Sequence, residues 1–188
     1  ELKKTKLKFT YNIDDIRDSN IYIVAVPTPI FANKKPDLSN LISASKLISK
    51  IIKKNDYIIY ESTVYPGTTE EICIPILEKN SKLKSNKDFF VGYSPERINP
   101  SDTKNKLTNI NKIVSSQSVK STNFISSLYQ SIITKAKIHK AESIKIAEAA
   151  KIIENTQRDI NIALMNELSI IFQKLNINTL KVIELHVI

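Results

Sequence analysis

Lys151, Asn155 and Arg158 stand at i, i+4 and i+7, the spacing that places side chains on one face of an α-helix. An ammonium and an amide one helical turn apart can reach the same oxygen, so Lys151 and Asn155 suit an oxyanion or a polar ligand. The plain alternative is a solvated face. Ala147, Ala149, Ala150 and Ala163 thin the same stretch, leaving room for a bulky group against it. Three further clusters follow apolar runs: Val26-Pro27-Thr28-Pro29, Glu61-Ser62-Thr63 and Ser94-Pro95-Glu96-Arg97. Each alone could be an ordinary turn, but together they supply the carboxylate and hydroxyls that a site for a polar substrate requires. The single cysteine, Cys73, has Ile72, Ile74 and Ile76 around it and no basic neighbour in sequence to lower its pKa. It reads as a small core residue rather than a nucleophile.

The elements that must position these groups follow from the apolar patterning. Leu7–Thr10 could form a short strand and Asp14–Arg17 a helical turn. Ile21–Val26, Tyr57–Tyr60 and Phe89–Tyr93 are short apolar runs, as expected of strands buried on both faces of a parallel sheet. Helical patterns lie between them, about Leu38–Lys53 and Thr68–Asn80. A strand at Lys112–Ser115, a helix near Val119–Ile133 and a brief strand near Ala136–Ile138 complete the series. Such alternation predicts an α/β fold with a parallel sheet, whose ligands bind beyond the carboxyl ends of the strands. The three polar loops would then crowd one sheet edge. From Ala141 to Leu175 there is no Pro or Gly, and Ile153, Ile160, Leu164, Leu168, Ile171 and Leu175 recur at helical spacing. That stretch predicts one long helix, of the kind more often central or dimer-forming than superficial.

Composition narrows the partners. No apolar run is long enough for a membrane span, and one cysteine excludes an internal disulfide framework and fits a reducing cytoplasm. The net charge of +9 would suit an anionic partner, yet the lysines are spread along the chain without a clustered Arg stripe, so nucleic-acid binding is not expected. Nothing in the sequence suggests a metal site. Only Gly67 and Gly92 occur, which rules out a G-x-G-x-x-G or Walker loop within these residues and requires most turns to form without glycine.

Four stretches, Ile23–Pro29, Tyr60–Thr69, Asp88–Pro100 and Ala147–Leu168, resemble the nucleotide-sugar 6-dehydrogenases, the UDP-glucose/GDP-mannose dehydrogenase family. The resemblance is strongest to the branch acting on UDP-N-acetylhexosamines, which makes uronates for capsule and O-antigen polysaccharides. It implies a partial Rossmann-like, doubly wound domain over 1–140, lacking its first Gly-rich βα unit, and over 141–188 the beginning of a central helical domain that dimerises through its long helix. It also implies NAD as cofactor and a two-step oxidation of the sugar C6 alcohol to a carboxylate, through thiohemiacetal and thioester intermediates on a cysteine. Carried over by residue, Pro27, Thr28, Ser62 and Thr63 would lie along NAD. Thr63 and Glu96 would position or activate the water that releases product, and Lys151 and Asn155 would stabilise the C6 oxyanion. Glu96, Arg97, Ile98, Asn99 and Pro100, with Lys151, Asn155 and Arg158, would line the sugar site. The family's Gly-rich turn and its nucleophilic cysteine are not among these residues, so the 188-residue chain is expected to be inactive alone. The alternative expectation is a non-catalytic remnant or dimerisation module. Ser101, Lys82 and Ser116 stand where the family tends to have glycine.

Overall fold

A computed structural model of the chain describes residues 7–97 and 106–185. Its backbone falls into two compact units, one up to Ala149 and one from Ala150 onward. The first holds a five-stranded sheet of order β1-β2-β3-β4-β5, with β1 at Ile21–Val24, β2 at Tyr57–Tyr60, β3 at Phe90–Tyr93, β4 at Lys112–Ser116 and β5 at Ile138–Lys140. β1, β2 and β3 are parallel neighbours in the register Ile21↔Tyr57↔Phe90. All four residues of β2 are buried, because helices cover both faces. Ile58 and Tyr60 point into a core with Leu41 and Ile48 of α1 (Ser39–Ile48) and Leu77 of α2 (Ile74–Ser81). Tyr57 and Ile59 point the other way, to Ile125 and Tyr129 of α3 (Val119–Gln130). A strand covered twice must be apolar on every residue, which is why Tyr57–Tyr60 shows no polar alternation.

Three expectations change. Leu7–Thr10 forms no strand; Leu7 and Phe9 stay exposed, and a strand without a partner leaves its backbone groups unpaired. The helix at Thr68–Asn80 opens with a π-helical segment, Thr69–Cys73, before α2, and the Ile74 N–H donates to Thr69 O. Pro75 follows at once, and its missing N–H and ring cannot continue a regular ladder. The third change matters most for function: β4 runs antiparallel to β3, pairing Gly92 with Ser116 and Tyr93 with Ser115. A parallel crossover needs a covering connection, usually a helix, whereas between β3 and β4 the described residues hold only a 3-10 turn at Leu107–Asn109. The chain returns in the opposite sense, and β4 and β5 resume a parallel pair.

Turns manage without glycine as expected. Lys34, Asn55, Lys82, Asn86 and Asn176 take the left-handed conformation themselves, mostly as asparagine, the side chain that tolerates it best. Gly92 is required for space: a Cβ there would lie 2.8 Å from Ser115 O. Ser116 is no turn residue, since its hydroxyl donates to Val91 O at 2.6 Å inside the sheet.

The long helix is α4, Ile144–Lys174. Ile144 and Ala147 belong to the core of the first unit. In the second unit α4 ends at Lys174, and Asn176, with a φ of 56°, lies between it and α5 (Thr179–Leu185). Ile153, Ile160, Leu164 and Ile171 are exposed along α4, and so is Leu175 just after it.

Candidate active site

The loops after β1, β2 and β3 meet at the carboxyl edge of the sheet, in a cleft of about 440 Å³ lined by Val26, Pro27, Thr28, Glu61, Ser62, Thr63 and Glu96. The four-residue strands β1, β2 and β3 end at one level, and Thr28, Glu61 and Glu96 from the loops that follow them border the cleft, whereas Ser94, the first polar residue after β3, is buried and donates to Ile113 O at 2.7 Å. Ser62 is turned inward and donates to Val26 O at 2.7 Å, tying the second loop to the first. Thr63 is exposed at the mouth. Thr28 Oγ1 is buried with no hydrogen-bond partner among the described residues. Glu96 accepts a hydrogen bond from the Arg97 N–H at 2.6 Å, and its own N–H reaches Glu61 O at 3.5 Å. Pro27, Thr28, Ser62, Thr63 and Glu96 are thus brought together. Arg97 is half-buried beside them in sequence, and Ile98, Asn99 and Pro100 lie outside the described residues.

Beneath this cleft lies a cluster that the sequence did not reveal. Because β4 is antiparallel, its first residue, Lys112, stands at the cleft end of β3. The Lys112 ammonium lies 2.9 Å from Glu61 Oε1, with side-chain exposures of 4% and 13%, and donates to the carbonyls of Ser94 and Pro95 at 3.3 Å each. It also rests 4.6 Å above the Tyr129 ring, and the Tyr129 hydroxyl donates to the same Glu61 oxygen at 2.5 Å. Burial, and then the Glu61 charge, push the Tyr129 phenol well above its ordinary range. No signal in the sequence isolates Lys112 from the many other lysines.

The following loop is held by Glu148, near the start of α4 and fully buried. Its carboxylate accepts from the Gly67 N–H at 2.6 Å and the Thr69 N–H at 2.9 Å, the free donors expected where a helix begins. Burial raises the Glu148 pKa, and hydrogen bonds from Thr69 and Gly67 pull it part of the way back. Cys73 is fully buried, and burial pushes its thiol up to about 11, so it is no nucleophile at neutral pH.

In the second unit, Lys151 keeps only 8% of its surface exposed, Asn155 is half-buried and Arg158 is exposed. A freely solvated face therefore does not describe Lys151. Arg158 pairs with Glu154 at 2.9 Å and borders a shallow recess with Gln157, Asn161 and Met165. Among the described residues no three His, Cys, Asp or Glu side chains gather as a metal site, and no helix is long and apolar enough to cross a membrane.

A cleft beyond the carboxyl ends of parallel strands, walled by polar loops, defines a nucleotide-handling α/β domain of Rossmann type. The buried Thr28 hydroxyl, without a hydrogen-bond partner among the described residues, fits a polar ligand such as part of a dinucleotide. Residues 1–133 match the NAD binding domain of the UDP-glucose/GDP-mannose dehydrogenase family, and residues 145–187 match its central domain. The chain belongs to that family, and NAD is the cofactor its matched domain binds. It is 56% identical over 180 residues to the UDP-N-acetyl-D-glucosamine 6-dehydrogenase of Pseudomonas aeruginosa, covering 95% of this chain and 42% of that one. It is 53% identical to the protein CapL of Staphylococcus aureus, covering 98% and 43%. The UDP-D-ManNAc dehydrogenase structure from Pyrococcus horikoshii superposes with a TM-score of 0.89 at 35% identity, over 98% of this chain and 43% of that one. The chain thus spans less than half the length of these relatives.

Proposed function

We propose that this chain carries part of the active site of a cytoplasmic, NAD-dependent dehydrogenase that oxidises the C6 alcohol of a UDP-N-acetylhexosamine to the uronate, for capsule or O-antigen polysaccharide. The observation that carries the reading is the cleft: Pro27, Thr28, Ser62, Thr63 and Glu96, from three separate loops, line one wall, in a chain whose relatives bear UDP-sugar dehydrogenase names. Conversion of an alcohol to a carboxylate removes two hydrides, adds one water and releases three protons, and two NAD molecules bound in succession would accept the hydrides. Pro27, Thr28 and Ser62 border the dinucleotide, the Ser62 hydroxyl acting through the loop it fastens. Thr63 and Glu96 orient the water that releases product, the carboxylate accepting its proton. Lys151 and Asn155, one turn apart on α4, donate to the developing C6 oxyanion. Arg97, Arg158 and the Ile98-Asn99-Pro100 stretch contact the nucleotide-sugar. The exposed isoleucines and leucines of α4 and α5 support a homodimer through that helix, and light scattering that returns twice the chain mass is the expected outcome.

The experiment is a chimera in which residues 7–185 replace the matching stretch of the Pseudomonas aeruginosa relative. NADH should appear with UDP-N-acetylglucosamine or UDP-N-acetylgalactosamine, and Lys151→Ala and Asn155→Ala should each depress kcat far more than they change KM. A folded chimera that makes no NADH would refute the catalytic reading and leave a non-catalytic relative of the enzymes.

A further inference from the structure

The ion pair beneath the cleft is costly to build. Two charges are withdrawn from water, and replacing such a pair by apolar groups is often neutral or better for stability, so the geometry it enforces needs its own account. Lys112 spends its ammonium on Glu61 Oε1 and on the consecutive carbonyls of Ser94 and Pro95, the two residues before Glu96. Ser94 is fixed a second time, its hydroxyl donating to Ile113 O at 2.7 Å, and Tyr129 holds the Glu61 carboxylate against the ammonium. The Ser94–Glu96 backbone is thereby pinned to β4 from below.

We propose that Lys112, Glu61 and Tyr129 form a positioning unit that sets the Ser94-Pro95-Glu96 backbone and so fixes where the Glu96 carboxylate stands in the cleft wall. The inference rests on the proposed role of Glu96. None of the three need touch substrate; Lys112 acts through two carbonyls, Glu61 through Lys112, and Tyr129 through Glu61.

Amide exchange measured by mass spectrometry on the 188-residue chain tests the geometry without catalysis. Lys112→Met should speed exchange of the peptide containing Glu96 and Arg97 about tenfold, the effect of losing a charged hydrogen bond, while β2 stays protected. Lys112→Arg should restore most of that protection. Should Lys112→Met not fold, the double variant Glu61→Gln with Lys112→Met, which leaves no lone buried charge, gives the same reading. Wild-type protection of Glu96 and Arg97 in the folded variant overturns the proposal. In the chimera, Lys112→Met should lower kcat about tenfold or more, as a displaced catalytic group does, leave KM near its value, and add nothing to Glu96→Gln. If Glu96→Gln itself spares kcat, the proposed function fails; if Glu96→Gln damages kcat and Lys112→Met does not, only the positioning unit fails.

Discussion

Replacing Glu148 tests how the loop after β2 is held. Its two carboxylate oxygens each satisfy one backbone donor, from Gly67 at 2.6 Å and Thr69 at 2.9 Å, in a fully buried site. Glu148→Ala leaves both N–H groups without an acceptor. An unsatisfied buried donor costs about 1–3 kcal/mol, so two would cost about 2–6 kcal/mol. Against this, the carboxylate's own burial is unfavourable, as its raised pKa records, and removing it returns part of the loss. The expected net destabilisation is about 2–4 kcal/mol, a large share of the roughly 5–15 kcal/mol a domain possesses. Glu148→Gln keeps one acceptor and turns an NH2 toward the other N–H, so it should lose about half as much, on the order of 1–2 kcal/mol. Urea denaturation should show a lower midpoint at unchanged slope. The pH dependence has a definite sign. A carboxyl whose native pKa lies above its ordinary 4.5 contributes stability that is complete below that value and is lost as pH rises through the raised native value. The stability gap between wild type and Glu148→Gln should therefore narrow as pH rises through that window. A loss below about 1 kcal/mol for Glu148→Ala, or a gap that widens with pH, would refute the account.

Lys82 closes α2 at a φ of 62°, where a Cβ is disfavoured. Lys82→Gly should raise stability by about 0.5–1 kcal/mol, visible as a higher thermal midpoint, and an unchanged or lower midpoint would show that no strain resides there. Gly92→Ala should cost about 1–3 kcal/mol by overpacking, since its Cβ meets Ser115 O at 2.8 Å and the Ile125 side chain; a denaturation midpoint equal to wild type would contradict that packing. Cys73, buried with its thiol near 11, should resist iodoacetamide at pH 8 in the native chain and react once urea unfolds it, and equal rates in both states would contradict its placement.

The sequence discloses this site where chemistry and backbone are close together in the chain. Ser62 and Thr63 directly follow Tyr57–Tyr60, so recognising the strand places them at its carboxyl end, and the same holds for Glu96 after Phe90–Tyr93. It fails where the direction of a strand decides the outcome. Lys112 opens β4; in a parallel sheet it would stand at the far edge, about 13 Å from Glu61 at 3.3 Å per residue. Periodicity is the same for a strand read in either direction, so no pattern within Lys112–Ser116 distinguishes the two. Among the described residues the connection after β3 holds only the 3-10 turn Leu107–Asn109, and such a connection offers no periodic pattern to read. Glu148 is hidden for a related reason: among the many Glu and Lys residues of an amphipathic helix, a carboxylate committed to two amides some eighty positions earlier looks like surface charge. Both hidden residues do the same physical work, since each uses a buried charge to satisfy backbone groups of a loop that bears a candidate site residue or directly follows one. Apolar packing fixes the strands and carries those loops to one edge, but irregular backbone has no ladder of its own, and Lys112 and Glu148 supply the partners that its carbonyls and amides would otherwise lack.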